Sequence, residues 1–128
     1  MLKNKNLIHS HSGKLPQYPG STTLYYMLLN LQKIFCSTII LNQNIDRGKI
    51  LLTRRYRIPR NKTLFENKFD NQIRAKNIVL VIKNLKNYLN KKKNSGKYYS
   101  SYHIAHPIIR QIVINKKLIK NILKNSIE

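Results

Sequence analysis

Acidic residues are the scarcest ordinary feature of this chain. Its 128 residues hold 4 Asp+Glu against 25 Lys+Arg, a formal charge of +21. There is one cysteine, Cys36, so no internal disulfide is available and a reducing compartment such as the cytoplasm is expected. Tryptophan is absent, and glycine and proline occur four times each. No apolar run approaches the ~18 residues that a membrane-spanning helix requires. The basic start, Met1 to Asn6, is followed by no apolar stretch of the kind that marks a secretory signal. With 41% hydrophobic residues the chain is also too apolar for a disordered basic tail.

The excess of positive charge attracts phosphate whatever the sequence around it. Lys, Asn and Ile together make up 52 of the 128 residues, however, and these types share AT-rich codons. The lysines are scattered, apart from Lys91, Lys92 and Lys93, and the arginines gather only at Arg54, Arg55, Arg57 and Arg60. Compositional drift therefore accounts for most of the charge. A small basic RNA-binding protein using these two groups is the alternative reading, with nucleic acid as a partner that is not favoured.

Along the chain, Leu7 to His11 reads as a short strand entering a loop with two glycines and two prolines, Ser12 to Gly20. Ser21, Thr22 and Thr23 offer cap hydroxyls for a helix whose apolar face is Leu24, Met27, Leu28 and Leu31, ending near Lys33. Phe35 to Leu41 is a β-branched strand, and Lys49 to Ile58 is a second, with Ile50, Leu52 and Tyr56 on one side and Pro59 as its stop. Thr63 and Glu66 have capping-box spacing. The stripe Phe65, Phe69, Ile73, Ile78, Ile82, Leu85 and Leu89 then predicts a long helix that ends at 91–94, its lysines complementing the helix dipole and Gly96 beyond it. Tyr98, Tyr99 and Tyr102 belong to an aromatic loop, read as a packing corner rather than a base-stacking surface. Residues 108–123 form a terminal helix, alone or after a strand. The alternation of strands and helices predicts an α/β fold.

Three polar residues stand at strand ends or in the loops that follow, where function gathers. They are His9, His11 and Asp46. Asp46 followed by Arg47 and Gly48 is also an ordinary turn. His9 and His11 point the same way along a strand, but two histidines without a third ligand define no metal site, and none is expected. His103 and His106 lack further ligands as well, and His106-Pro107 reads as a turn. Cys36 reads as a small core residue.

The combination of His11, Leu15-Pro16, Gly20, an amphipathic helix, and Asp46-Arg-Gly48-Lys-Ile50 about 35 residues after the histidine resembles the formyltransferase family. The similarity runs from about Leu7 to Thr63. A weaker one, Tyr98 to Arg110, resembles the C-terminal end of a subgroup thought to modify sugars or small amines. The resemblance implies a partial Rossmann-like α/β domain with a helical C-terminal tail. Its activity is transfer of a formyl group from 10-formyltetrahydrofolate, as co-substrate, to an amine. The acceptor would be a small molecule such as an amino sugar, or an aminoacyl-tRNA such as methionyl-tRNA. His11 falls on the catalytic histidine, which stabilises the oxyanion formed on the formyl oxygen, and Asp46 on the aspartate that favours the charged imidazole. Asn42, Gln43, Asn44 and Ile45 fall where the family's backbone grips the pterin. His9 replaces an asparagine that donates to the formyl oxygen. Residues 1–95 correspond to the C-terminal half of the catalytic domain and 96–128 to an extension packing on it. A truncated product, incomplete or inactive by itself, or one that pairs with a separate N-terminal half, is therefore expected. With its neighbours missing, a parallel sheet would leave its central strand as an open apolar edge.

Overall fold

A computed structural model describes residues 6–92 and 96–125, with side chains up to residue 116. Lys93 and the expected boundary at residue 95 lie outside the described residues. The elements, in order, are β1 (Ile8–His11), α1 (Thr23–Leu31), β2 (Ile34–Ile40), β3 (Lys49–Tyr56), α2 (Lys62–Leu64), a π-helical turn (Phe65–Phe69), α3 (Asp70–Lys83), α4 (Leu85–Leu89) and α5 (Pro107–Asn125). The fold is mixed α/β. Among the described residues no helix is long and apolar enough to cross a membrane.

The sheet has the order β1-β2-β3, and both pairings are antiparallel. This corrects the expectation of a parallel sheet with an exposed central strand: β2 is central and paired on both sides. The connection 41–48 is short enough for a hairpin, whereas a parallel return needs a dozen residues or more. The segment 12–33, which contains α1, joins β1 to β2, and these two strands pair antiparallel with Ile8 opposite Ile40 and His11 opposite Ser37. A register shift at Thr38/Ile39 places Ile39 opposite Ile50 and Thr38 opposite Leu52. The bulge turns Leu51 inward, so Leu51 rather than Ile50 or Leu52 is the fully buried residue of β3.

Both faces of β2 are covered. Ile34 and Cys36 join Tyr18, Leu24, Met27, Leu28, Phe65, Phe69 and Ile73 in one core, which also includes Val113 and Ile114 of α5. The C-terminal segment thus shares the core of the segment before it. Burial pushes the Cys36 thiol up to about 12, leaving it a small inert core group. On the other face the Ser37 hydroxyl donates to Gly13 O at 2.7 Å and accepts from the Leu15 amide at 3.0 Å. These bonds tie the loop that follows β1 onto the sheet.

The long helical region differs from its expected form in three ways. Its N-cap is Asn61, whose Oδ1 accepts from the Leu64 amide at 2.9 Å, so Thr63 already lies in the first turn and forms no capping box. The helix is broken at Asn84 and ends at Leu89. Beyond Ile73 the buried positions are Asn77 and Val81, not Ile78 and Ile82, and Ile82 is 57% exposed. Asn77 sets that phase. Its Nδ2 donates to Cys36 O at 3.1 Å and Thr38 Oγ1 at 2.9 Å, and its Oδ1 accepts from the Tyr56 hydroxyl at 2.8 Å. Lysines near the helix end act as fasteners: Lys49 Nζ donates to Leu89 O at 2.5 Å, and Lys91 Nζ to Leu51 O at 3.1 Å.

Asn77→Ala removes three hydrogen bonds between α3 and the sheet, although Thr38 Oγ1 keeps its contact with Ser10 Oγ at 2.6 Å. It is expected to lower the unfolding free energy by about 2–4 kcal/mol in urea denaturation. A loss below about 1 kcal/mol would contradict the role assigned to Asn77.

Candidate active site

The site forms where β1 gives way to its loop and where the loop after β2 folds back over it. His11 is 7% exposed at the end of β1. Its Nε2 lies 2.7 Å from Tyr18 O. A carbonyl oxygen only accepts, so Nε2 carries a proton. Nδ1 faces Asp46 Oδ1 at 3.5 Å. Gly13 makes this geometry accessible, because a Cβ there would collide with His11 Nε2 and Tyr18 O.

Asp46 has φ 57°, a left-handed conformation that aspartate tolerates better than most residues. It is a turn residue, yet its side chain is only 8% exposed. Oδ2 accepts from the Gly20 amide at 3.0 Å. Gly20 has φ 104° and bridges to Tyr102, whose carbonyl accepts from Ser21 N and whose amide donates to Pro19 O. Tyr102 in turn stacks on Tyr18, with ring centroids 5.3 Å apart. The aromatic segment therefore packs as expected at Tyr102. It holds both backbone groups, Gly20 N–H and Tyr18 C=O, that orient the His11–Asp46 pair. Tyr98 anchors to Gly48 O at 3.0 Å, and Tyr99 is 58% exposed.

His9 lies beside this pair, its ring half-buried. Burial, assisted by the Arg74 guanidinium and opposed by Asp46, holds its pKa below the ordinary 6.5. The ligating atoms of His9, His11 and Asp46 all lie within 4.8 Å of one another. Asp46 is thus the third group that the His-x-His pair lacked in the sequence. A cavity of about 530 Å³ opens onto these residues, within the usual range for ligand sites.

Of the four loop residues expected at the pterin, only Ile45 lines the cavity, and it is 83% exposed at the rim. Asn42, Gln43 and Asn44 are not among the lining residues, and two of them are engaged locally: Asn42 Nδ2 donates to Arg47 O and Asn42 Oδ1 accepts from the Asn44 amide. Sequence reasoning missed Ser12, Glu66, Asp70, Arg74 and Arg110, which complete the wall. The Ser12 hydroxyl donates to Asp70 Oδ1, and Arg74 Nε donates to Ser10 O at 2.9 Å. A signal for this was present, since three of the four acids of the chain, Asp46, Glu66 and Asp70, line this one cavity. His103 and His106 form no pair on a helix. His106 Nδ1 instead accepts from the Ile108 amide at the start of α5.

No protein-family model matches the chain, and no curated protein sequence does. Solved structures do. A methionyl-tRNA formyltransferase from Clostridium thermocellum matches with TM-score 0.55 and 17% identity, over 84% of this chain and 46% of that one. The formyltransferase PseJ from Anoxybacillus kamchatkensis, solved with a formamido sugar nucleotide and tetrahydrofolate, matches with TM-score 0.55 and 18% identity, over 73% of this chain and 51% of its own. A 4-N formyltransferase from Francisella tularensis gives 0.54 and 21%, over 88% and 52%. The chain has the fold of these formyltransferases and spans about half the length of each.

In an NMR pH titration the His9 ring is expected to titrate with a midpoint below 6.5. Because the folded value is the lower one, the unfolded chain binds the proton more readily, and acidification through and below pH 6.5 favours unfolding. His9→Gln should flatten that decline. A midpoint at or above 6.5 would contradict the environment described.

Proposed function

We propose that this cavity transfers a formyl group from 10-formyltetrahydrofolate to an amine. The observation that carries the reading is the His11 ring, fixed by Tyr18 O so that Nδ1 meets Asp46 at the cavity wall. The formyltransferase fold of the matched structures, one of them solved with tetrahydrofolate, supports it.

The co-substrate supplies the formyl carbon, bonded to its N10. The amine nitrogen forms the new C–N bond, and negative charge gathers on the formyl oxygen. The His11 ring, held between Tyr18 O and Asp46 at the cavity wall, would as a cation stabilise that charge by several kcal/mol in water-poor surroundings. The carboxylate of Asp46 favours that cation and receives a proton from the attacking amine. As the bond from carbon to N10 breaks, the proton passes to N10, so the products are a formamide and tetrahydrofolate. Neutral His9 retains one N–H, which replaces the asparagine amide as a second donor to the oxygen. Glu66 and Asp70 also line the cavity and favour an acceptor that arrives as an ammonium, such as an amino sugar or an aminoacyl-tRNA, which releases one proton to solvent before the neutral amine attacks. The exposed Ile45 gives the pterin an apolar rim. A separate chain adding strands at the outer edge of β1 is the partner we propose for the remaining half of the domain.

The test is tetrahydrofolate release from 10-formyltetrahydrofolate with amino-sugar nucleotides and methionyl-tRNA as acceptors. His11→Ala and Asp46→Ala are each expected to reduce kcat by about 100-fold or more while circular dichroism is unchanged. Undiminished turnover in either variant would overturn the assigned roles.

A further inference from the structure

The histidine at position 9 gives the site a second capability, independent of the formyl-transfer reading. We propose that His9, His11 and Asp46 bind a divalent cation of zinc type, with three protein ligands and at least one coordination position open to the cavity.

The geometry supports this at each level. His9 and His11 stand two residues apart on β1 and project to the same face, while Asp46 reaches them from the loop after β2. Their candidate ligand atoms form a triangle with no side above 4.8 Å. The His11 Nδ1–Asp46 Oδ1 side, at 3.5 Å, is close to the separation of about 3.3–3.5 Å between neighbouring ligands of a tetrahedral ion whose bonds are about 2.0–2.2 Å. Only the His9 ring must close in. Two imidazoles with one carboxylate suit zinc and similar borderline ions better than magnesium or calcium, which take oxygen ligands.

The outer shell is already in place. A metal-bound histidine characteristically donates its other N–H to a carbonyl or carboxylate, and a metal-bound carboxylate is itself hydrogen-bonded. His11 donates Nε2–H to Tyr18 O, and the second oxygen of Asp46 accepts from the Gly20 amide. The ring and the carboxylate are therefore oriented before any ion arrives. Local charge is compatible: in a chain of net charge +21, the cavity walls carry three acids, Asp46, Glu66 and Asp70, against the arginines Arg74 and Arg110, with Arg74 paired to Asp70 at 3.5 Å.

The cation and the reactive proton would occupy the same atom, His11 Nδ1, so the two states of the site are mutually exclusive at that position.

The chain is stripped with a chelator and titrated with zinc chloride by calorimetry, and the visible spectrum of its cobalt(II) form is recorded. One ion per chain is expected, with a four- or five-coordinate cobalt spectrum. His9→Asn should weaken zinc binding by about 100-fold and abolish that spectrum. Asp46→Asn, which preserves shape, should weaken binding similarly, whereas a His103→Ala/His106→Ala variant should bind as the parent does. Absence of stoichiometric zinc uptake would overturn the proposal, as would unaltered binding in His9→Asn. These readouts do not involve formyl transfer, so failure of one proposal is distinguishable from failure of the other.

Discussion

The hydrogen bond from His11 Nε2 to the Tyr18 carbonyl determines what this site can do. A ring fixed at one nitrogen has a single remaining face for chemistry, and here that face meets a buried carboxylate at the cavity wall. Much of the surrounding structure maintains this bond. Ser37 ties down the loop between His11 and Tyr18, Gly13 leaves the ring room to reach back, and the Tyr102 ring stacks on that of Tyr18. The Tyr102 backbone bridges to Gly20, whose amide holds Asp46 from the other side. The C-terminal segment, although far from His11 in sequence, is therefore part of the site's scaffold.

The distribution of charge acquires meaning at this level. As a total, +21 says little about function when Lys, Asn and Ile are abundant together. The few carboxylates are more informative, because a scarce residue type gathered at one place is harder to attribute to composition. Asp46 faces the histidine, Asp70 accepts from the Ser12 hydroxyl and meets Arg74 at 3.5 Å, and Glu66 shares the same cavity. Several of the cations are spent on structure. Lys49 and Lys91 fasten α4 to β3, and Arg110 donates to Ala105 O and lies over the Tyr25 ring.

Much of the fold was legible in the sequence, because its signals are local. The strands fall within a residue or two of where β-branched runs and breakers place them, and α1 follows its apolar spacing. Loop position singled out His11 and Asp46 as candidates, and the formyltransferase resemblance implied their pairing; the two side chains do meet. Strand direction was not legible, since it depends on how the segment 12–33 joins β1 to β2. The phase of α3 was hidden because its central buried residue, Asn77, is polar and finds its partners on β2 and β3. Asn61 displaced Thr63 as the cap because both residue types serve that role and only the backbone decides between them. The cavity wall from Glu66 to Arg74 belongs to a helix whose exposed face carries ordinary surface residues in the sequence. The Asn42 side chain ties its own turn together, bonding Arg47 O and the Asn44 amide, which residue type alone does not reveal.

The same geometry explains how one pocket carries two readings. A protonated Nδ1 is an acid for a developing oxyanion, and a deprotonated one is a ligand. Both depend on Nε2 remaining protonated. The most direct measurement is therefore the tautomer of the His11 ring, read from nitrogen-15 chemical shifts of the neutral form. A neutral ring with its proton on Nε2 is expected. A neutral ring protonated on Nδ1, with its Nε2 lone pair directed at Tyr18, would contradict it.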